Sequence, residues 1–277
     1  MSRLAQQFAL LKEQRRAALV TYVMGGDPAP WVTVPLMHAL VRAGADVLEL
    51  GVPFSDPMAD GPVIQRAALR ALKQRVTLER VLAMVREFRT KDASTPVVLM
   101  GYLNPIENMG YEAFAAAAAA AGVDGVLTVD LPPEEAEAML AALGARRLDP
   151  IFLLAPTSGP ERLHAVAACA GGFIYYVSLR GVTGASHLDV NEVHAKVKAI
   201  RGHTGLPVGV GFGIGSPQTA ARVAEFADAV VVGSAVVNRM EHNAEHPERL
   251  LAEVPAFVGS LRAALDKQVK TAAEFAP

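Results

Sequence analysis

The stretch from Asp46 to Arg66, DVLELGVPFSDPMADGPVIQR, holds the residues best placed to do chemistry. Glu49 lies in an otherwise apolar run, Val47-Leu48-Glu49-Leu50, which reads as a buried strand. Side chains alternate between the two faces of a strand, so Leu48 and Leu50 share one face and Val47 and Glu49 the other. A carboxylate in such a place is costly unless something nearby needs it. Two more carboxylates, Asp56 and Asp60, follow in a loop that opens with the turn residues Gly51-Val52-Pro53. Pro62 then suits the first turn of a helix carrying Val63 and Ile64. One carboxylate on a rigid strand, with others just beyond its C-terminal end, fits general acid–base chemistry at the place where parallel α/β proteins build active sites. A satisfied buried glutamate beside a solvated acidic loop is the plainer alternative. These residues alone leave both open.

The second informative region is a set of three glycine-rich turns: Arg180 to Ser186, Gly209 to Ser216, and Gly233-Ser234-Ala235. Glycine lets the backbone come close to a ligand, and free N–H groups at a helix start point at an anion. In barrels, phosphate commonly binds at the loops after the seventh and eighth strands. A nucleotide site is disfavoured, because Ile214 or Ser216 stands where the third glycine of G-x-G-x-x-G belongs. His242 and His246 are four apart on a possible helix, but Asn243 replaces the glutamate of H-E-x-x-H, so a solvated pair is the better reading than a metal site. No nucleophile elbow of type G-x-S-x-G occurs.

The elements that must position these residues alternate along the whole chain. Leu4, Phe8 and Leu11 fall at helical spacing and predict an opening amphipathic helix. Eight short apolar runs read as strands, at 18–23, 47–50, 96–100, 126–129, 149–154, 173–177, 208–211 and 229–232. Helical segments follow them, among them Val63 to Leu72, Tyr111 to Ala121, Pro133 to Leu143, Pro160 to Ala170, Val190 to Ile200 and Pro217 to Phe226. Thr77 is placed to cap a further helix, while Gly44, Gly122 and Gly144 are placed to end three. Strands this apolar suit a parallel sheet buried on both faces. Eight strand-then-helix units predict an α/β fold, a closed (β/α)8 TIM barrel with an extra N-terminal helix. The expected organisation is a single domain over 1–277, with an N-terminal helix in 1–14, a last helix beyond Pro247 and a fraying tail in 267–277.

Composition narrows the function. With 277 residues, 52% hydrophobic and 19% charged, the chain can build a large core. A formal net charge of −2 gives no electrostatic case for nucleic acid or an anionic membrane. The one cysteine, Cys169, excludes an internal disulfide and is expected to be a small core residue. No secretory signal or bilayer-spanning run is recognisable, so the expected location is cytoplasmic. The residues point to a barrel enzyme acting on a small phosphorylated substrate by carboxylate acid–base chemistry without a metal.

LELGVPFSDPMADGP closely resembles the signature stretch of the tryptophan synthase alpha subunit family, and YYVSLRGVTGA and GVGFGIGSP resemble two more of its segments. The resemblance runs from about Phe8 to Leu261. It implies a lyase of tryptophan biosynthesis that cleaves indole-3-glycerol phosphate to indole and D-glyceraldehyde 3-phosphate. By the same resemblance Glu49 is the general acid and base, and Asp60 accepts a hydrogen bond from the indole N–H. Thr183 bonds to that aspartate on loop closure, Tyr175 lies near the glycerol portion, and Phe212 with Met100 sandwiches the indole. Phosphate is expected at Gly184, Gly213, Gly233 and Ser234. The resemblance further implies no cofactor in this chain and a beta-chain partner holding pyridoxal phosphate, in an alpha2beta2 heterotetramer. The partner surface is expected around Pro53, Phe54, Asp56 and the Asn104–Asn108 loop. Phe54 in an acidic loop is otherwise hard to explain. A related phosphate-binding barrel enzyme is the first rival, but no lysine or cysteine stands at a predicted strand end. A non-catalytic activating subunit and a stand-alone lyase are the others.

Overall fold

The computed structural model describes residues 2–177, 190–211 and 213–268. Its strands are Ala18–Met24 (β1), Val47–Gly51 (β2), Val97–Gly101 (β3), Gly125–Thr128 (β4), Asp149–Leu154 (β5), Ile174–Val177 (β6), Val208–Gly211 (β7) and Ala229–Val232 (β8). They pair in parallel and in chain order, and β8 returns to β1, so the sheet closes into a barrel. The helices are Arg3–Glu13 (α1), Pro30–Arg42 (α2), Pro62–Lys73 (α3), Leu78–Arg89 (α4), Leu103–Met109 (α5) and Tyr111–Ala121 (α6). Glu137–Ala145 (α7), Pro160–Cys169 (α8), Val190–Thr204 (α9), Pro217–Ala224 (α10), Ser234–His242 (α11) and Pro247–Leu265 (α12) complete the set among the described residues. This is the expected eight-fold β/α barrel.

Strand parity sorts the core into two layers. Ala18, Val20, Val47, Val98, Leu127, Ile151, Phe173, Tyr175, Ala229 and Val231 fill the interior. Intervening residues such as Leu19, Leu48, Leu50, Val97 and Leu99 pack outward beneath the helices. The predicted N-terminal helix closes the lower end: Leu4, Phe8 and Leu11 join the interior cluster, and the Phe8 ring lies 5.6 Å from Phe173. A repeated device ties strands at that end. Asp46, Asp124 and Asp228 each precede a strand and accept the backbone N–H of Leu19, Val97 and Val208, at 2.8, 2.8 and 2.9 Å. Each also pairs with an arginine: Arg262 at 2.9 Å, Arg89 at 2.7 Å and Arg201 at 2.9 Å.

Local signals hold at several ends. Gly44 and Gly122 follow their helices at φ +103° and +90°, Thr77 accepts the Arg80 N–H as N-cap, and Pro62 is the first residue of α3. Three readings are corrected. Asn104–Asn108 is not a loop but lies in α5, a two-turn helix whose single buried residue, Ile106, is too little for a periodic pattern. The segment from Pro133 splits into a 3-10 turn, Pro133–Glu135, and α7, which continues past Gly144 to Ala145; the chain reverses at Arg147, φ +58°. His242 ends α11 whereas His246 is the N-cap residue of α12, so the two histidines do not share a helix. No helix among the described residues is long and apolar enough to cross a membrane. Of the tail expected to fray, 269–277 lies outside the described residues.

Candidate active site

Parity on β2 turns Glu49 into the barrel, where Tyr22 of β1 and Val98 of β3 are its partners in register. The residue is only 1% exposed, and its Oε1 has no hydrogen-bond partner among the described residues. Losing water disfavours the ionised form, and a neighbouring negative charge adds to that. Burial pushes the Glu49 carboxyl up to about 8, with the Asp60 charge as the second cause. Glu49 is therefore protonated at neutral pH, with Oε1 left unpartnered among the described residues. That state suits a general acid.

Asp60 sits in the β2–α3 loop, two residues before Pro62 starts α3. Its backbone is pinned on both sides: its N–H donates to Pro57 O at 3.1 Å, and Gln65 Nε2 donates to its carbonyl at 2.8 Å. Burial raises its carboxyl to about 6, and a hydrogen bond from the Tyr102 hydroxyl works against that rise. The Tyr102 hydroxyl also accepts the Ala59 N–H at 3.0 Å. At neutral pH the site thus holds one neutral and one ionised carboxyl, a donor and an acceptor.

Tyr175 stands on the interior face of β6, buried, its hydroxyl pushed far above the ordinary range by burial and then by Glu49. It leans over β7: a Cβ placed on Gly211 would lie 2.3 Å from the Tyr175 hydroxyl. Only glycine there makes room. Met100 ends the interior face of β3, half-buried. Gly213 and Gly233 lie just past the ends of β7 and β8, which pair with each other; Gly213 has φ +73°, and Gly233 opens α11, whose first residue is Ser234. These residues therefore gather on the C-terminal rim above Glu49. Thr183, Gly184 and Phe212 lie outside the described residues.

A second network braces that rim. The Asp27 carboxylate, fully buried after β1, takes both Nε and Nη2 of Arg70, at 2.6 and 3.0 Å. Arg70 and Arg66 of α3 both reach Glu241 of α11, at 2.7 Å each. The helix that follows the Asp60 loop is in this way tied to the helix that begins at Ser234.

Of the residues expected to face a partner, Asp56, Asn104 and Asn108 are exposed, whereas Pro53 is buried. Phe54 is half-buried and stacks on Tyr102, with ring centroids 5.1 Å apart and planes at 28°. An intrachain contact thus accounts for part of a residue that looked unexplained. The same loop exposes Met58 to 86%. Tyr22 and Tyr102 were missed by sequence reasoning. Tyr22 shares the interior parity of Val20, a signal that could have found it, while Tyr102 lies past its strand and depends on the path of the loop.

Fold and site together define a (β/α)8 barrel enzyme with two buried carboxyls, one on a strand and one in the loop after it, below a glycine-lined rim. The sequence profile described as tryptophan synthase alpha chain matches residues 8–266. The chain is 60% identical over 266 residues to the tryptophan synthase alpha chain of Nitrosococcus oceani, covering 96% of this chain and 98% of that one. It is 59% identical over 273 residues to that of Burkholderia thailandensis, covering 99% and 100%. The crystal structure of tryptophan synthase subunit alpha from Legionella pneumophila superposes with a TM-score of 0.90 at 46% identity, covering 96% of this chain and 99% of that one. The chain belongs to the tryptophan synthase alpha chain family. It is a lyase of tryptophan biosynthesis, the subunit that cleaves indole-3-glycerol phosphate, and membership implies a beta-chain partner.

Proposed function

We propose that Glu49 and Asp60 carry out the retro-aldol cleavage of indole-3-glycerol phosphate to indole and D-glyceraldehyde 3-phosphate. The observation that carries this reading is the pair of carboxyls held in opposite states, Glu49 near 8 and Asp60 near 6. Protonated Glu49 delivers its proton to C3 of the indole ring, which makes the ring a leaving group. Asp60, ionised, accepts the indole N–H and stabilises the positive charge that develops there. The bond between C3 and the carbinol carbon then breaks, its electron pair restores the aromatic ring, and the carbinol O–H returns a proton to Glu49. One proton is given and one regained.

In the same reading Tyr175 faces the glycerol portion, Met100 and Phe212 enclose the indole, and Thr183 bonds to Asp60 when its loop closes. Backbone groups at Gly184, Gly213, Gly233 and Ser234, with the Ser234 hydroxyl, hold the phosphate. The chain, one domain over 1–277, works without a cofactor of its own in the cytoplasm, in an alpha2beta2 complex whose beta chain carries pyridoxal phosphate. Phe54, Asp56, Asn104 and Asn108 form the side that meets the partner, with buried Pro53 beneath the loop. The test is indole release from indole-3-glycerol phosphate by the purified chain, alone and with a beta chain, for wild type and Glu49→Gln. Slow release accelerated by the partner, falling at least ~10²-fold in the variant, is expected. Near-normal turnover of Glu49→Gln would overturn the assignment of Glu49; fast release by the chain alone would point to a stand-alone lyase.

A further inference from the structure

Tyr22 shares the interior face with Glu49, yet the chemistry above gives it no task. It stands opposite Glu49 in the β1–β2 register and is 5% exposed. Its side chain leans over β2, so that a Cβ placed on Gly51 would lie 2.2 Å from the Tyr22 hydroxyl and 2.8 Å from Cζ. Gly51 lies two residues beyond Glu49 on the same face, about 6–7 Å further along the strand. The hydroxyl is therefore carried above Glu49 towards the open end, on the side of the Asp60 loop. The charges it feels agree with that placement, Asp60 first and Glu49 next.

This hydroxyl is poorly served by the protein. Its hydrogen-bond acceptor among the described residues is Met24 Sδ at 3.9 Å, a weak partner for a buried donor. Just below it, Oε1 of Glu49 is buried with no partner among the described residues. A donor short of an acceptor thus stands on the same interior face as a carboxyl oxygen without a partner among the described residues, on the register-paired residue of the next strand. A ligand hydroxyl serves both, accepting from the tyrosine and donating to the carboxyl. The construction also repeats across the barrel, where Tyr175 leans over Gly211 of its following strand as Tyr22 leans over Gly51 of its own.

We propose that the Tyr22 hydroxyl binds substrate, donating a hydrogen bond to the carbinol oxygen of indole-3-glycerol phosphate whose proton passes to Glu49. This rests on the assignment of Glu49 made above. As the C–C bond breaks, that oxygen turns from hydroxyl to aldehyde carbonyl and carries developing negative charge on the way. A fixed donor stabilises it throughout. The phenol keeps its own proton, because burial and the flanking carboxylates hold it far above neutrality.

The test compares wild type, Tyr22→Phe and Glu49→Gln, each assembled with a beta chain, with two ligands. One is indole-3-glycerol phosphate; the other is indole-3-propanol phosphate, which has hydrogens in place of the chain hydroxyls. Tyr22→Phe should lower kcat/KM about 10-fold, the worth of one hydrogen bond, while affinity for the propanol analogue stays within about 2-fold. An unchanged kcat/KM overturns the proposal. So does a parallel loss of affinity for the analogue, which would mark Tyr22 as a packing residue. If Glu49→Gln is inactive while Tyr22→Phe is silent, only the tyrosine proposal fails; if Glu49→Gln is active, the assignment of Glu49 fails first.

Discussion

A carboxyl buried as deeply as that of Glu49 should cost stability, and the cost should have a particular dependence on pH. In the unfolded chain Glu49 ionises near its ordinary 4.5, whereas in the folded barrel it holds its proton up to about 8. A raised folded pKa means that stability is fully present below the unfolded value and is lost as pH rises towards the folded one. Each pH unit in that window is worth about 1.36 kcal/mol, so the protein should lose about 4 kcal/mol between pH 5 and pH 8 on account of this one residue. Glu49 is almost completely buried, so solvent screening takes little from that figure. Glu49→Gln keeps the shape but does not titrate. Its amide adds a pH-independent offset of either sign, because a second polar group needs partners there. The readout is therefore the slope: urea denaturation at pH 5, 6, 7 and 8 should show Glu49→Gln gaining on wild type by about 1.4 kcal/mol per unit, then no further above pH 8. Parallel stability curves for the two proteins across that range would refute the claim that Glu49 is held protonated by its setting.

The catalytic pH profile should follow the same two carboxyls. With Asp60 ionising near 6 and Glu49 near 8, kcat/KM for indole release should be bell-shaped with its maximum between them; Asp60→Asn should retain phosphate binding but lose the acidic limb, and a limb that survives removes Asp60 from the mechanism. At the other end of the barrel, Asp124→Ala leaves Arg89 buried and the Val97 N–H unpaired, and should cost ~3–5 kcal/mol in denaturation experiments with kcat unchanged. Turnover that falls without loss of stability would show that the lower face acts on the chemistry.

The strands were legible because each is an apolar run with nothing to confuse it, and their count fixes closure better than any single run does. Alternation within one run, Val47 to Leu50, was enough to turn Glu49 inward. The same rule applied to β1 turns Tyr22 inward, but tyrosine in an apolar strand looks like ordinary core, and nothing local marks it. What distinguishes it is Gly51 on the neighbouring strand, a relation between residues 29 positions apart that appears only once the register is known. Tyr102 escaped for a related reason. Its hold on Asp60 depends on how the β2–α3 loop folds back over β3, and Gly, Pro and Ser signal that a turn occurs without giving its path. The short α5 fell below the length at which a helical period can be read.

The two ends of the barrel put the same functional group to opposite uses. At the lower end, Asp46, Asp124 and Asp228 are each held by a backbone N–H and an arginine, so their charge joins strands to helices. At the upper end, neither Glu49 nor Asp60 has a cation beside it among the described residues; burial raises both, and the Asp60 charge raises Glu49 further. An arginine placed beside Glu49 would stabilise the fold and lower the carboxyl towards its ordinary range, leaving no proton to deliver at neutral pH. Arg70, on the helix that follows the Asp60 loop, is instead tied to Asp27 and Glu241 and braces α3 against α11. Stability drawn from the lower end and from this brace offsets the burial of Glu49, and in the proposed mechanism the proton that burial keeps on it is the one delivered to carbon.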